Sequence, residues 1–87
     1  MVKQINYTKL PILWRESLRR WVEDGLHPGG FLGAVLANDL LRAVQFGDDE
    51  ALRDMVTIVR WLANDAPSGC WGSGSITRAW RGSLMGV

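Results

Sequence analysis

Cysteine and histidine each occur once in this 87-residue chain. A single cysteine excludes an intrachain disulfide framework. A single histidine beside it excludes an ordinary zinc site, which draws its ligands mostly from these two residue types. No other metal centre and no cofactor is expected. A dominant charge is missing too: ten basic and nine acidic side chains leave a net charge of +1. With 47% hydrophobic residues, that balance excludes a disordered polar tail. Long apolar runs are absent. The longest stretch without a charged residue covers 25–38 and contains His27, Pro28 and several glycines. A bilayer span needs about 20 apolar residues, so no membrane segment is expected. The opening MVKQINYTKLP lacks the charged-then-apolar layout of a secretory leader. No internal repeat is visible, and strand-like alternation never lasts beyond four residues. The expectation is one soluble, intracellular, all-α domain over 1–87.

What is present organises as helices. Residues 1–10 show no strong period and read as an N-terminal arm. Pro11 opens a helix, and Leu10, Trp14, Leu18, Trp21 and Val22 form its apolar stripe. Gly25 is its natural stop. Pro28 and Gly29-Gly30 break the chain before a second helix, which is expected to run from Gly30 or Phe31 to Phe46, with Gly47 as its stop. Asp48 or Asp49 caps a third helix bearing Leu52, Met55, Val56, Val59, Leu62 and Ala63 on one side. Residues 66–74 form a glycine- and serine-rich loop. A short fourth helix follows, capped by Ser73 or Ser75, with Ile76, Ala79 and Trp80 inward and Gly82 at its end. The fold expected is a small bundle of three main helices plus a short C-terminal fourth.

Between Phe31 and Phe46 only Asn38, Asp39, Arg42 and Gln45 are polar. A surface helix normally keeps a wide polar face. This one is either central or covered by a second copy, and a homo-oligomer is the expectation. Asp39 falls at the centre of the apolar face on a helical wheel. A buried carboxylate needs a partner, so it either ties elements together or contacts a ligand. Five tryptophans are several times the usual share. Trp14, Trp21, Trp61 and Trp80 fit helical faces. Trp71 lies in the loop, as a hydrophobic plug or as a stacking platform for a planar ring.

Charge is uneven along the chain. Residues 1–22 carry five basic side chains and one acid, 23–65 carry three and eight, and 66–87 carry Arg78 and Arg81 with no acid. Arg19 and Arg20 have helical partners in Glu23 and Glu16. Arg15, Arg78 and Arg81 have no local acid and could line an anionic pocket. Gly29-Gly30 and Gly72-Ser73 precede helices, where glycine lets an anion come close, although neither matches a phosphate-loop pattern. A DNA-binding protein of this size would carry a larger basic excess. Catalysis has no acid–base constellation behind it. His27 and Cys70 would pair only if the fold joined their loops.

The stretch His27-Pro-Gly-Gly-Phe-Leu-Gly-Ala-Val-Leu-Ala-Asn-Asp-Leu40, followed by Pro67-Ser-Gly-Cys-Trp-Gly-Ser73 and Trp80, resembles a group of small bacteriophage and prophage proteins. That group shares a G-x-x-P-G-x-F-L-x-A-V-L-x-N-D-L core and a C-W-G-S turn. The resemblance covers about residues 12–81 and carries no settled function. Many members have Pro-Glu after the turn, where this chain has Gly74-Ser75. The resemblance implies a phage protein of the host cytoplasm that binds and disables something in the host. The leading expectation is non-catalytic sequestration of a small anionic, nucleotide-type immune signal in a pocket between copies. In it Arg15, Arg19, Arg78 and Arg81 neutralise phosphates. Gly29, Gly30 and Ser73 supply donors, Trp71 stacks, and Asp39 or Asn38 reads a sugar or base. An inhibitor that binds a host protein is the alternative, and a nucleic-acid-binding regulator ranks third.

Overall fold

The computed structural model describes residues 5–83. Of these, 62% are helical and none forms a strand. Five helices follow in order: α1 (Ile12–Asp24), α2 (Gly30–Leu36), α3 (Leu40–Phe46), α4 (Asp49–Asn64) and α5 (Gly74–Ala79). The all-α expectation holds. The expected helix count does not, because the segment read as one helix from Gly30 to Phe46 is two.

The break has a local cause. Asn38 adopts a left-handed conformation at φ 60°. Its N–H donates to the Val35 carbonyl at 3.0 Å, and the Asp39 N–H donates to the Ala34 carbonyl at 2.8 Å. This paired pattern closes a helix end around a left-handed residue, a place asparagine takes most readily after glycine. Asp39 then caps α3, its carboxylate accepting from the Arg42 N–H at 3.1 Å. Asp39 is therefore not buried on an apolar face: its side chain is 41% exposed. The apolar run hid this signal, since Asn-Asp in its midst reads as both a stop and a start.

Splitting the run lets its halves take different environments. α2 buries Phe31, Leu32, Ala34, Val35 and Leu36 and is the central helix. α3 buries only Ala43 and leaves Leu40, Leu41, Val44 and Phe46 exposed. α4 begins at the expected cap, Asp48, whose side chain accepts from the Ala51 N–H at 2.8 Å. Asp49 and Glu50 sit in its first turn, at the positive end of the helix dipole. Its inner face differs from the expected stripe. Ala51, Ile58, Trp61 and Leu62 are buried, whereas Val56, Val59 and Ala63 face outward. α4 carries two adjacent apolar stripes, and the one bearing the large indole takes the interior. α5 buries nothing. Ile76 and Ala79 are exposed, contrary to expectation, and only Trp80 is half-buried.

Four indole N–H groups join distant segments. Trp14 Nε1 donates to Asp54 Oδ2 at 2.8 Å, linking α1 to α4. Trp21 Nε1 donates to the Cys70 carbonyl at 2.9 Å, and Trp80 Nε1 donates to the Trp21 carbonyl at 2.9 Å. Trp61 Nε1 donates to the Asn6 carbonyl at 2.8 Å. The last bond fixes the arm, part of which is packed: Leu10 is buried, and Tyr7 stacks on Trp61 at 5.6 Å. Residues 1–4 of the expected arm lie outside the described residues.

The segment after α5 crosses the end of α1 at backbone contact distance. The Ser83 N–H donates to the Val22 carbonyl at 2.7 Å. Gly25, at φ 72°, ends α1 as expected. A Cβ on Gly25 would lie 2.7 Å from the Arg81 carbonyl carbon, and one on Gly82 would lie 2.5 Å from the Glu23 oxygen. Gly82 also has φ 96°. Gly82→Ala should therefore lower the unfolding free energy by more than about 1 kcal/mol, from strain and collision together. Urea denaturation checks this, and an unchanged midpoint would mean that the crossing is not tight.

Candidate functional site

A cavity of about 360 Å³ lies where α2, α3 and α5 meet. Its charged and polar lining comes from His27, Asp39, Arg42, Thr77 and Arg78. Gly30, Gly33 and Gly74 make parts of its wall low, and Phe46 gives one apolar side. Each side chain arrives for a local reason. Capping α3 brings Asp39 to the rim, and one turn later Arg42 stands beside it, its Nε 3.7 Å from Asp39 Oδ2. Phe46 ends α3 and leans over Gly30, where a Cβ would sit 3.5 Å from the ring. Ser73 caps α5 as expected, its hydroxyl accepting from the Ile76 N–H at 3.1 Å. That cap directs Arg78 toward the cavity, with its guanidinium folded over Gly74.

His27, weighed from the sequence only as a partner for Cys70, lines this cavity, as do Arg42, Phe46 and Thr77, which were not expected there. The His27 ring lies on Gly33, where a Cβ would come within 2.6 Å of Cε1 and 2.8 Å of Nε2. A side chain at 33 would have to displace the imidazole from this position. The Gly29 N–H donates to His27 Nδ1 at 3.2 Å, so in the neutral ring the proton resides on Nε2. Trp21 meets the ring edge-on at 6.1 Å. Three contacts from three segments thus orient this side chain. The sequence signal was the glycine at 33, inside a helix where glycine is otherwise costly.

The other expected site residues are distributed differently. Of the ten, Gly30, Asp39 and Arg78 line the cavity. Arg15 is committed to the arm, its Nε and Nη2 donating to the Leu10 and Thr8 carbonyls at 2.8 Å each. Arg19 is paired with Glu16 and Glu23 on α1. Arg81 Nη1 donates to the Arg78 carbonyl at 2.7 Å and lines a second cavity of about 230 Å³. That cavity shares His27, Thr77 and Arg78 with the first. Gly29 spends its N–H on His27. Asn38 is exposed at the helix break and lines a separate shallow depression. Ser73 is occupied with capping. Trp71 is half-buried against the core, as a plug would be. Arg78 has no carboxylate within salt-bridge distance among the described residues.

Cys70 is wholly buried, and burial pushes its thiol up from 9.0 to about 11. The thiolate is the reactive form of cysteine, and burial disfavours it here. No cluster of three or more potential metal ligands occurs among the described residues. No helix there is long and apolar enough to cross a membrane.

The Cys70 shift fixes the sign of a pH effect. The folded chain holds this proton more tightly than the unfolded chain, so the folded state is favoured fully below pH 9 and loses that advantage between 9 and 11. Tyr7, raised mainly by burial and then by Glu23, acts in the same direction at higher pH. Urea midpoints should fall across this window, and thiol labelling at about pH 8 should require unfolding. Flat midpoints with rapid labelling of the folded chain would contradict the burial of Cys70.

No family model matches the chain, and neither a curated protein nor a solved structure is significantly similar to it.

Proposed function

We propose that this chain is a non-catalytic binding protein that docks on another protein through the outer face of α3 and α4. The observation that carries this reading is the exposed apolar ridge. Leu40 and Leu41 are 68% and 70% exposed, and Val44, Val56 and Val59 are 49%, 55% and 40% exposed. Leu40 and Val59 line one shallow depression with Val35, Ala43 and Met55, so α3 and α4 adjoin there. Contiguous exposed apolar patches are often functional. A seven-residue helix is unstable alone, and α3 gains little from burying Ala43. Cover by a partner would supply what the isolated chain lacks. Two partners fit: a second copy, as the homo-oligomer expectation has it, or a host protein, as the resemblance to phage proteins implies.

The sequestration of a small anionic ligand is the second reading, favoured by the cavity that gathers His27, Arg42 and Arg78. It needs fewer arginines than expected, because Arg15, Arg19 and Arg81 already hold the chain's own acceptors.

The paired substitution Leu41→Glu with Val56→Glu tests the docking face. Both side chains are exposed in the single chain, so the helical circular dichroism spectrum should be unchanged. Sedimentation equilibrium and affinity capture from the host should both change. Loss of self-association, or of a specific co-purifying protein seen with the wild type, supports the reading. A variant that keeps every association of the wild type sinks it.

A further inference from the structure

The apolar ridge on α3 and α4 has a cationic rim. On a helical wheel, Leu52, Val56, Val59 and Ala63 form one stripe along α4, with the 4-3-4 spacing of a seam that packs against another helix. One edge of this stripe borders α3, since Val59 and Met55 share a depression with Leu40 and Ala43. Arg53 and Arg60 fall on the other edge, and both are exposed. They are seven residues apart, about 10 Å along the helix axis.

These two arginines differ from most of the chain's cations. Lys9, Arg19, Arg20 and Arg42 stand within salt-bridge distance of carboxylates. Arg15 and Arg81 donate to backbone carbonyls. Among the described residues, neither the Arg53 nor the Arg60 side chain has such a partner. The acids of α4 are placed elsewhere. Asp54 accepts from the Trp14 indole, and Asp49 and Glu50 occupy the first turn. From residue 55 to residue 64 the one charged side chain is Arg60.

An aliphatic stripe edged by unpaired cations is complementary to a surface that is aliphatic and acidic. A second copy of α4 is a poor match. Packed antiparallel with Leu52 level with Val59, it would bring Arg53 level with Arg60, and like charges at such a contact are destabilising. A helix of another protein has no such conflict. Helices dock in grooves through anchors at i, i+3, i+4 and i+7, and carboxylates seven residues apart on one flank would match the spacing of the two arginines.

We propose that the ridge receives an amphipathic helix of another protein, its aliphatic side chains on α3 and α4 and its carboxylates on Arg53 and Arg60. The proposal rests on the docking reading above and names the chemistry of the partner. Exposed ion pairs are each worth little, so the arginines set partner choice and orientation, while the aliphatic contacts hold the complex.

Two synthetic helical peptides of about 20 residues test this, long enough to form helix. Both carry leucine at heptad positions a and d. One has glutamate along a single flank, and the other has lysine there. Fluorescence anisotropy with the full chain should show the glutamate peptide binding about fivefold or more tightly at low salt, with the gap narrowing as ionic strength rises. Arg53→Glu with Arg60→Glu should reverse the preference. Leu41→Gln with Val56→Gln, which leaves the charge unchanged, should weaken both peptides. All four residues are exposed, so each variant should keep the wild-type circular dichroism spectrum. Equal binding of the two peptides, binding of neither, or a preference that survives the arginine reversal overturns the acidic partner. If the peptides bind equally and the Leu41 and Val56 variant loses both, the docking face stands without that partner. If that variant keeps both, the docking face falls as well. Sedimentation equilibrium gives the remaining outcome. A dimer that the same variant disrupts assigns the ridge to a second copy and overturns the acidic helix.

Discussion

The Trp21 indole, buried at the end of α1, is the constraint on which the rest of the arrangement depends. Its N–H holds the Cys70 carbonyl, its own carbonyl receives the Trp80 indole, and its ring edge orients His27. Residues 49 and 59 positions away are thereby fastened to one turn of one helix. A chain this small, without disulfide or metal, has little core to spare. Large indoles give it area, and their N–H groups give direction. Each such hydrogen bond adds only about 1 kcal/mol net, but leaving the buried acceptor unmet would cost more. Trp14 and Trp61 do the same for α4 and the arm. Together these bonds seat the loop at 66–73 and the segment after α5 against α1, and so set where Arg78 stands relative to His27.

The second constraint is the break at Asn38. A continuous helix over 30–46 would have one face to bury and one to expose. Two short helices allow α2 to be surrounded and α3 to face outward. Both proposed surfaces follow. The cavity exists because α3 turns back and places Asp39, Arg42 and Phe46 opposite Gly30 and Gly33. The apolar ridge exists because α3 then has only Ala43 to offer the core. Leu40 and Leu41 stand outside for the same reason that Leu32 and Leu36 stand inside.

Much of this was legible in the sequence. The all-α class, the stops at Gly25 and Gly47, and the caps Asp48 and Ser73 all follow from local chemistry acting over one turn. The Asn38 break was legible in principle, but apolar periodicity outweighed a two-residue signal. The inner face of α4 was not, because two stripes compete and only tertiary packing chooses between them. Arginines were hardest. A missing acid at i±4 says nothing about carbonyls, and Arg15 and Arg81 found carbonyls rather than ligands. His27 was weighed only as a partner for Cys70, because its contact with a glycine six residues on exists only once α2 is folded against the loop.

Hydrogen exchange of the five indole N–H groups, followed one by one by NMR, tests the central claim most directly. Trp21 and Trp61, both buried and both bonded, should exchange only on global unfolding. Trp14 and Trp80, bonded but half-buried, should follow at intermediate rates, with Trp71 fastest. A Trp21 indole that exchanges as quickly as that of Trp71 would contradict the account, since the loop, the crossing segment and the cavity all hang on that bond.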